Sequence, residues 1–232
     1  MANFVSTHQS AKSSAVATLL KSVYMQMAAA LSVTGIVAYF LAQSPLFLQT
    51  IMTNPSIMWI AIVVQLALVI WLSARLQRMS MATATLLFIL YSVLMGVSMS
   101  AIFIAYTMSS IASTFFITAG TFFVMSIIGI VTRIDLSRIG SILLMALIGL
   151  IIASVVNIFL HSETMYWIIS FAGVLIFVGL TAYDTQKIKE MVANYGVADD
   201  MGHKLALFGA LTLYLDFVNL FLHLLRILGN RE

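Results

Sequence analysis

Seven long apolar runs dominate the sequence and constrain what it can fold into. They lie at Val23–Ala42, Ile57–Ala74, Ala82–Tyr106, Ile111–Val131, Ile139–Leu160, Met165–Tyr183 and Leu205–Leu225. Each run has 18 to 25 residues, the length that a helix needs to cross a hydrocarbon core about 30 Å thick. The runs lack the alternation of a membrane β-barrel. The sequence therefore predicts an all-α polytopic membrane protein with seven transmembrane helices.

The polar remainder of the chain is small. Only 8% of residues are charged, against about 25% in soluble domains, so a soluble globule and a nucleic-acid-binding module are excluded. We predict a polar N-terminal tail (1–22), a single membrane domain (23–228) and a short C-terminal tail (229–232). The connections between the runs leave no room for a soluble domain.

The distribution of Lys and Arg predicts how the chain is oriented. Nine of these residues lie in the N-terminal tail and in the second, fourth and sixth connections, and the other three connections have none. Because positive loops stay in the cytoplasm, we expect a cytoplasmic N-terminus. Arg226 and Arg231 follow the last run, so the charges alone leave open whether that run fully spans. Its full length favours seven spans.

Asp216 is the single Asp, Glu, Lys or Arg in the seven runs. A charge at mid-membrane costs at least about 2.5–3.5 kcal/mol and usually marks a functional site. Thr212, Asn219 and His223 share its helix face at helical spacing. Because these polar groups cannot face lipid unsatisfied, we expect the last helix to be central in the bundle, with Thr212, Asn219 and His223 as a supporting polar stripe.

Asp184 ends the sixth run, and a helical pattern continues beyond it through Lys187 to Met191. Helix rise puts Asp184 about 10 Å shallower than Asp216, so contact between them is left open. Carboxylate oxygens suit a hard cation such as Ca²⁺. Neighbouring carboxylates also share a proton, which would make cation passage depend on pH.

Small residues at helical spacing predict close helix contacts. In the third run, small residues recur every four positions at Ser92, Gly96 and Ser100. Close contacts are also expected at small residues of the fifth and sixth runs: Gly149, Ala153, Gly173 and Gly179. Gln65 and Asn157 are expected to form hydrogen bonds between helices.

No enzyme reading fits the chain well, and we predict that it is not an enzyme. A retinal protein needs a lysine in a membrane helix, and none of the runs has one. The Gly-x-Ser-Gly and His-Glu-x-x-His motifs of membrane serine and metalloproteases are absent. Tyr183-Asp184 matches half of a presenilin-like aspartyl protease signature, but Asp216 follows Leu213-Tyr-Leu in place of Gly-x-Gly.

Several motifs resemble those of the Bax inhibitor-1 family. Two segments are similar to its last two helices: 178–187 (Val-Gly-Leu-Thr-Ala-Tyr-Asp-Thr-Gln-Lys) and 209–229, which begins Gly-Ala-Leu-Thr-Leu-Tyr-Leu-Asp-Phe. Residues 96–122 and the loop Arg133-Ile-Asp-Leu-Ser also resemble family motifs. The resemblance covers nearly the whole chain.

The resemblance implies a last helix wrapped by the other six and a pH-sensitive Ca²⁺ leak in the bacterial inner membrane. It makes Asp184 and Asp216 the pH sensor and possible Ca²⁺ ligands. It also implies an arginine latch on Asp184, with Arg75 and Arg78 as candidates. Membrane lipid, Ca²⁺ and protons would be the partners, and no cofactor or nucleic acid is expected. The alternative is a non-transporting regulator that binds a membrane protease or a stress-response protein.

The orientation can be tested with single cysteines, because the natural chain has none. With an impermeant thiol reagent added from outside, we expect a cysteine at Ser44 to be labelled and a cysteine at Ser6 to be protected. Labelling of the Ser6 variant alone would reverse the predicted orientation.

Overall fold

The structure describes residues 2–54 and 56–230, and most of these residues lie in helices. In these residues the computed structural model has nine α-helices and no β-strand: α1 (Ala2–Ala42), α2 (Pro45–Thr53), α3 (Ser56–Arg75), α4 (Met81–Met99), α5 (Ile102–Ala105), α6 (Met108–Val131), α7 (Ser137–Leu160), α8 (Glu163–Tyr195) and α9 (Asp200–Leu228). Seven segments are long and apolar enough to cross a bilayer, namely α1, α3, α4 with α5, and each of α6 to α9. The predicted seven-helix membrane architecture is confirmed.

Helix boundaries follow local chemistry. At the starts of α2, α4 and α6, a side-chain hydroxyl accepts a hydrogen bond from the backbone N–H of the residue three positions later. The hydroxyls are those of Ser44, Ser80 and Thr107. Each one satisfies a donor that has no partner within the helix. We predicted an N-terminal tail over residues 1–22, but this part of the chain is helical, because α1 already begins at Ala2. No glycine or proline precedes Gly35, so nothing in the sequence ends that helix early. Met1 lies outside the described residues.

The connection between the last two long helices is much shorter than predicted. As expected, α8 continues past Asp184, and it ends at Tyr195. Gly196 follows at a φ of 67°, a left-handed conformation that glycine adopts without strain. Asp199 then accepts the Gly202 N–H and the Tyr195 hydroxyl. These hydrogen bonds lower the pKa of the Asp199 carboxyl and start α9 at Asp200.

The chain divides into two compact units. The first comprises residues 2–105 and 191–214, with α1 packed on α4 and α4 on α3. Its interior is joined by Thr34, whose hydroxyl lies 2.9 Å from Ser92 O and 2.7 Å from the Tyr214 hydroxyl. A side chain at Gly96 would collide with Val37 and the Thr34 carbonyl. The small-residue prediction is therefore confirmed for the third run.

The second unit comprises residues 106–190 and 215–230. Its buried cluster contains Leu150, Ile169, Ile176, Phe177, Leu180 and Leu220. Gly173 packs against His223 and Gly179 against Leu143, whereas Gly149 is exposed and a methyl group added there would meet nothing within 4 Å. The close-contact prediction is wrong for Gly149, because it faces away from the packed side of α7. The predicted tail 229–232 is held at Asn230 by Thr107 and Ser110, and its last two residues lie outside the described chain.

Burial differs sharply between the helices. Only 6% of the apolar window of α7 is buried, whereas 67% of that of α9 is, the highest share among the seven spans. On α7, Ile148, Ile152 and Phe159 are exposed. Such a continuous apolar surface would drive association in water, and lipid covers it without penalty. The burial of α9 agrees with its expected central position.

The close approach of α6 to α8 offers a test of the packing. A methyl group at Gly129 would collide with the Ala182 carbonyl oxygen and with Thr185, whereas one at Gly120 on the same helix would meet nothing within 4 Å. We expect Gly129→Ala to destabilise the protein by about 1–3 kcal/mol through overpacking. Gly120→Ala is the control and should leave the melting temperature in detergent unchanged or slightly raised. Equal melting temperatures for both variants would contradict this packing.

Candidate carboxyl-pair site

The site is built around two carboxyl groups on α8 and α9. Asp216 is 5% exposed and Asp184 is half-buried. The two carboxyls lie within hydrogen-bonding reach of each other. The predicted depth difference of about 10 Å does not keep them apart, because both helices extend beyond their apolar runs. At 1.5 Å per residue, Asp184 lies about 17 Å from the C-terminal end of α8 at Tyr195.

The contact requires a proton. Two ionised carboxylates have only acceptor atoms, so a hydrogen bond between Asp184 and Asp216 forms only when one of them is protonated. Among the described residues, no N–H or O–H group donates to Asp216 Oδ2. The two carboxyls can therefore share a proton.

Lys187 supplies the nearby positive charge. It interacts electrostatically with Asp184, which lies one helical turn before it on α8. Its ammonium group also lies 5.6 Å from the centre of the Tyr183 ring, and its side chain is exposed. This cation attracts the ionised form of Asp184 from the exposed side of the helix, whereas Asp216 is buried away from solvent.

Two polar anchors that the sequence analysis missed hold the segment of α8 around Asp184. The Gln186 amide bridges the connection between α6 and α7, donating to Ile134 O and accepting from Leu136 N at 2.9 Å each. Lys189 donates to Ile130 O at 2.5 Å. The sequence feature that could have revealed them is the series of polar residues directly after Asp184. Polar residues at the end of an apolar run are usually expected to face solvent. Gln186 thus fixes α8 to the connection that follows α6, and Lys189 fixes it to the end of α6 itself.

Further buried polar atoms lie in the same unit without a hydrogen-bond partner among the described residues: Thr114 Oγ1, Ser126 Oγ, Thr185 Oγ1 and His223 Nδ1. Burying such groups without partners is costly. Hydroxyl oxygens are also suitable ligands for a hard cation or for water that accompanies it. The interior of this unit can therefore accommodate polar species besides the carboxyl pair.

The predicted polar stripe on α9 is only partly free to bind. Thr212 and Asn219 are half-buried and donate to their own helix, to Phe208 O and Leu215 O. His223 is buried and stacks on Phe177, with ring centres 5.8 Å apart. Thr212 and Asn219 are thus committed to local bonds through their donors, while His223 keeps an unpaired ring nitrogen.

Other predicted residues have clear positions. Arg75 ends α3 and Arg78 ends the short 3₁₀ turn Leu76–Arg78, and both are exposed. The arginine latch on Asp184 stays a prediction.

Gln65 donates to Leu94 O at 2.6 Å and to the Ser98 hydroxyl at 2.5 Å, so it links α3 to α4 as expected. Both of these hydrogen bonds come from its amide nitrogen.

Metal binding at the pair would be partial. Within the described residues, no three or more His, Asp or Glu side chains cluster to hold an ion. Two carboxylates supply at most four of the six to eight oxygens that Ca²⁺ prefers. Hydroxyl groups and water would have to provide the rest.

Known proteins match this chain over nearly its whole length. The family model described as "Inhibitor of apoptosis-promoting Bax1" matches residues 16–232. Inner membrane protein YbhL of Escherichia coli K12 is 50% identical over 93% of this chain and 92% of its own. A protein of Borreliella burgdorferi is 44% identical over 92% of both chains. A membrane protein of Streptococcus pyogenes serotype M1 is 39% identical over 78% of both.

The family match at 16–232 covers the segments whose motifs carried the resemblance, including the helices that hold both aspartates. The relatives named as membrane proteins agree with the seven apolar spans of the structure. The chain is a multi-pass membrane protein that belongs to the Bax inhibitor-1 family.

Proposed function

We propose that this protein is a pH-sensitive cation leak, with Ca²⁺ as its best-suited ion and no enzymatic activity. The contact between the carboxyls of Asp184 and Asp216 carries the proposal. Ionised, the pair offers oxygen ligands and negative charge to a cation inside the membrane. Singly protonated, it closes into a hydrogen bond between α8 and α9.

Electrostatics support a cation as the transported species. A unit charge about 4 Å from a monovalent cation is worth about 4 kcal/mol at an effective dielectric constant of 20, and a divalent ion gains about twice that. Asp216 is the only carboxylate in the seven apolar runs of the sequence, so its charge has no competitor there. A purely structural helix has no need to bury it.

The location and orientation belong to the same proposal. YbhL is named as an inner membrane protein, and we place this chain in a bacterial inner membrane with its N-terminus in the cytoplasm. In that orientation Asp184 and Lys187 lie toward the cytoplasm. Arg75 or Arg78 would act as the latch on Asp184 from the same side of the membrane.

A Ca²⁺ flux assay with purified protein in liposomes tests the proposal. We expect a flux whose rate depends on pH. In Asp216→Asn, we expect the factor by which the rate changes between acidic and alkaline pH to fall by about tenfold or more. Asparagine keeps the shape and hydrogen bonding of the side chain and removes its titration.

Asp200→Asn is the matched control. Asp200 is an exposed aspartate at the start of α9 that pairs with Lys204 at 2.7 Å, and its loss should leave the flux unchanged. An unaltered pH response in Asp216→Asn would make Asp216 structural only. If folded wild-type protein carried no Ca²⁺ flux at any pH, the leak would be contradicted, and a regulator that binds another membrane protein would replace it.

A further inference from the structure

A second polar site lies at the other end of α8 from the segment that carries Asp184. A cavity of about 500 Å³ opens where α7 ends, α8 begins and α9 ends, which is a typical size for a ligand site. Its lining includes Arg226, Glu163, Tyr166, Trp167 and His161. Because it lies at the ends of three membrane helices, we expect the cavity at the level of the lipid headgroups.

Opposite charges line this cavity without neutralising each other. The Arg226 guanidinium lies over the Tyr166 ring, 5.8 Å from its centre, and Glu163 is exposed in the first turn of α8. In the described part of the chain, the Lys204–Asp200 contact is the only ion pair, so none joins Arg226 to Glu163. The cavity therefore offers one cationic and one anionic group to a ligand.

The wall of the cavity continues onto the lipid-facing surface. Trp167 is 45% exposed and Phe171, one turn further along α8, is 54% exposed. Their rings stack with centres 6.0 Å apart. Tryptophan and tyrosine are enriched where membrane meets water, and this aromatic track leads from the cavity rim toward the bilayer interior.

His161 closes the rim in an unusual backbone conformation. It ends α7 with a φ of 51°, in the left-handed region where glycine is the usual residue. Its exposed ring faces the cavity that Arg226 and Glu163 also line. Its Nδ1 lies 3.2 Å from Phe159 O in the same turn.

We propose that this cavity binds the headgroup of a zwitterionic phospholipid of the phosphoethanolamine type. Its phosphate lies on Arg226, since the guanidinium fork matches phosphate oxygens. Its ammonium group lies on Glu163, to which it donates hydrogen bonds. Its acyl chains follow Trp167 and Phe171. A lipid held in this way links α8 to α9, the two helices that carry Asp184 and Asp216.

The charges discriminate between headgroups. A purely anionic headgroup satisfies Arg226 and is repelled by Glu163. A choline headgroup carries the right charges, but its methylated nitrogen has no N–H to donate to Glu163. A soluble phosphoethanolamine molecule has the same polar chemistry as the lipid, but it gains nothing from the aromatic track.

Native mass spectrometry of the full-length protein in detergent tests the proposal. The probes are phosphatidylethanolamine, phosphatidylglycerol and phosphatidylcholine with identical acyl chains, together with soluble phosphoethanolamine. The variants are Arg226→Gln and Glu163→Gln. The controls are Arg138→Gln and Glu190→Gln, which remove exposed charges near the opposite ends of α7 and α8. With Trp59 and Trp71 replaced by Phe, Trp167 emission reports binding at the cavity itself.

We expect phosphatidylethanolamine to bind at least about tenfold more tightly than the other probes and to change Trp167 emission. Each cavity variant should lose at least about tenfold, the effect of one charged hydrogen bond, and the controls should lose nothing. Equal binding of the three lipids would overturn the proposal, as would a preference for phosphatidylglycerol that Glu163→Gln strengthens. Soluble phosphoethanolamine binding as tightly as the lipid would overturn the lipid assignment. If Arg226→Gln did not fold, the exposed Glu163→Gln variant would decide alone.

Discussion

The contact between Asp184 and Asp216 is the constraint around which the structure is organised. Two carboxylates side by side inside a membrane protein repel each other and are poorly solvated, so the closed arrangement requires a proton between them. Several features bring the two groups together. Gly129 lets α6 approach α8, while Gln186 and Lys189 fix the segment of α8 next to Asp184. The long α9 carries Asp216 into the buried part of its unit.

The last helix, α9, contributes residues to both compact units. Tyr214 joins Thr34 in one unit, while Asp216 and His223 are buried in the other. Arg226, one turn further, lines the cavity that we assign to a lipid headgroup. A single buried helix thus carries one member of the carboxyl pair, Asp216, and the arginine of the cavity. Movement of α9 would change both sites together.

The sequence predicted the seven spans and the polar face of α9, because hydropathy and helical spacing depend only on neighbouring residues. It did not predict the contact between Asp184 and Asp216, since their relative depth depends on helix length and tilt. The early start of α1 was missed because polar residues were read as a solvated tail. The headgroup cavity could not be predicted either, because Arg226, Glu163 and His161 meet only when three helix ends come together.

The pH midpoint of Ca²⁺ flux in Asp184→Asn, Asp216→Asn and the double variant tests most directly whether the two carboxyls act as one unit. Residues in one hydrogen-bonded network show coupling energies of about 0.5–3 kcal/mol, whereas independent sites are additive. The contact predicts that the double variant shifts the midpoint by an amount that differs clearly from the sum of the single shifts. Strictly additive shifts would contradict the account, because they would mean that each aspartate titrates alone.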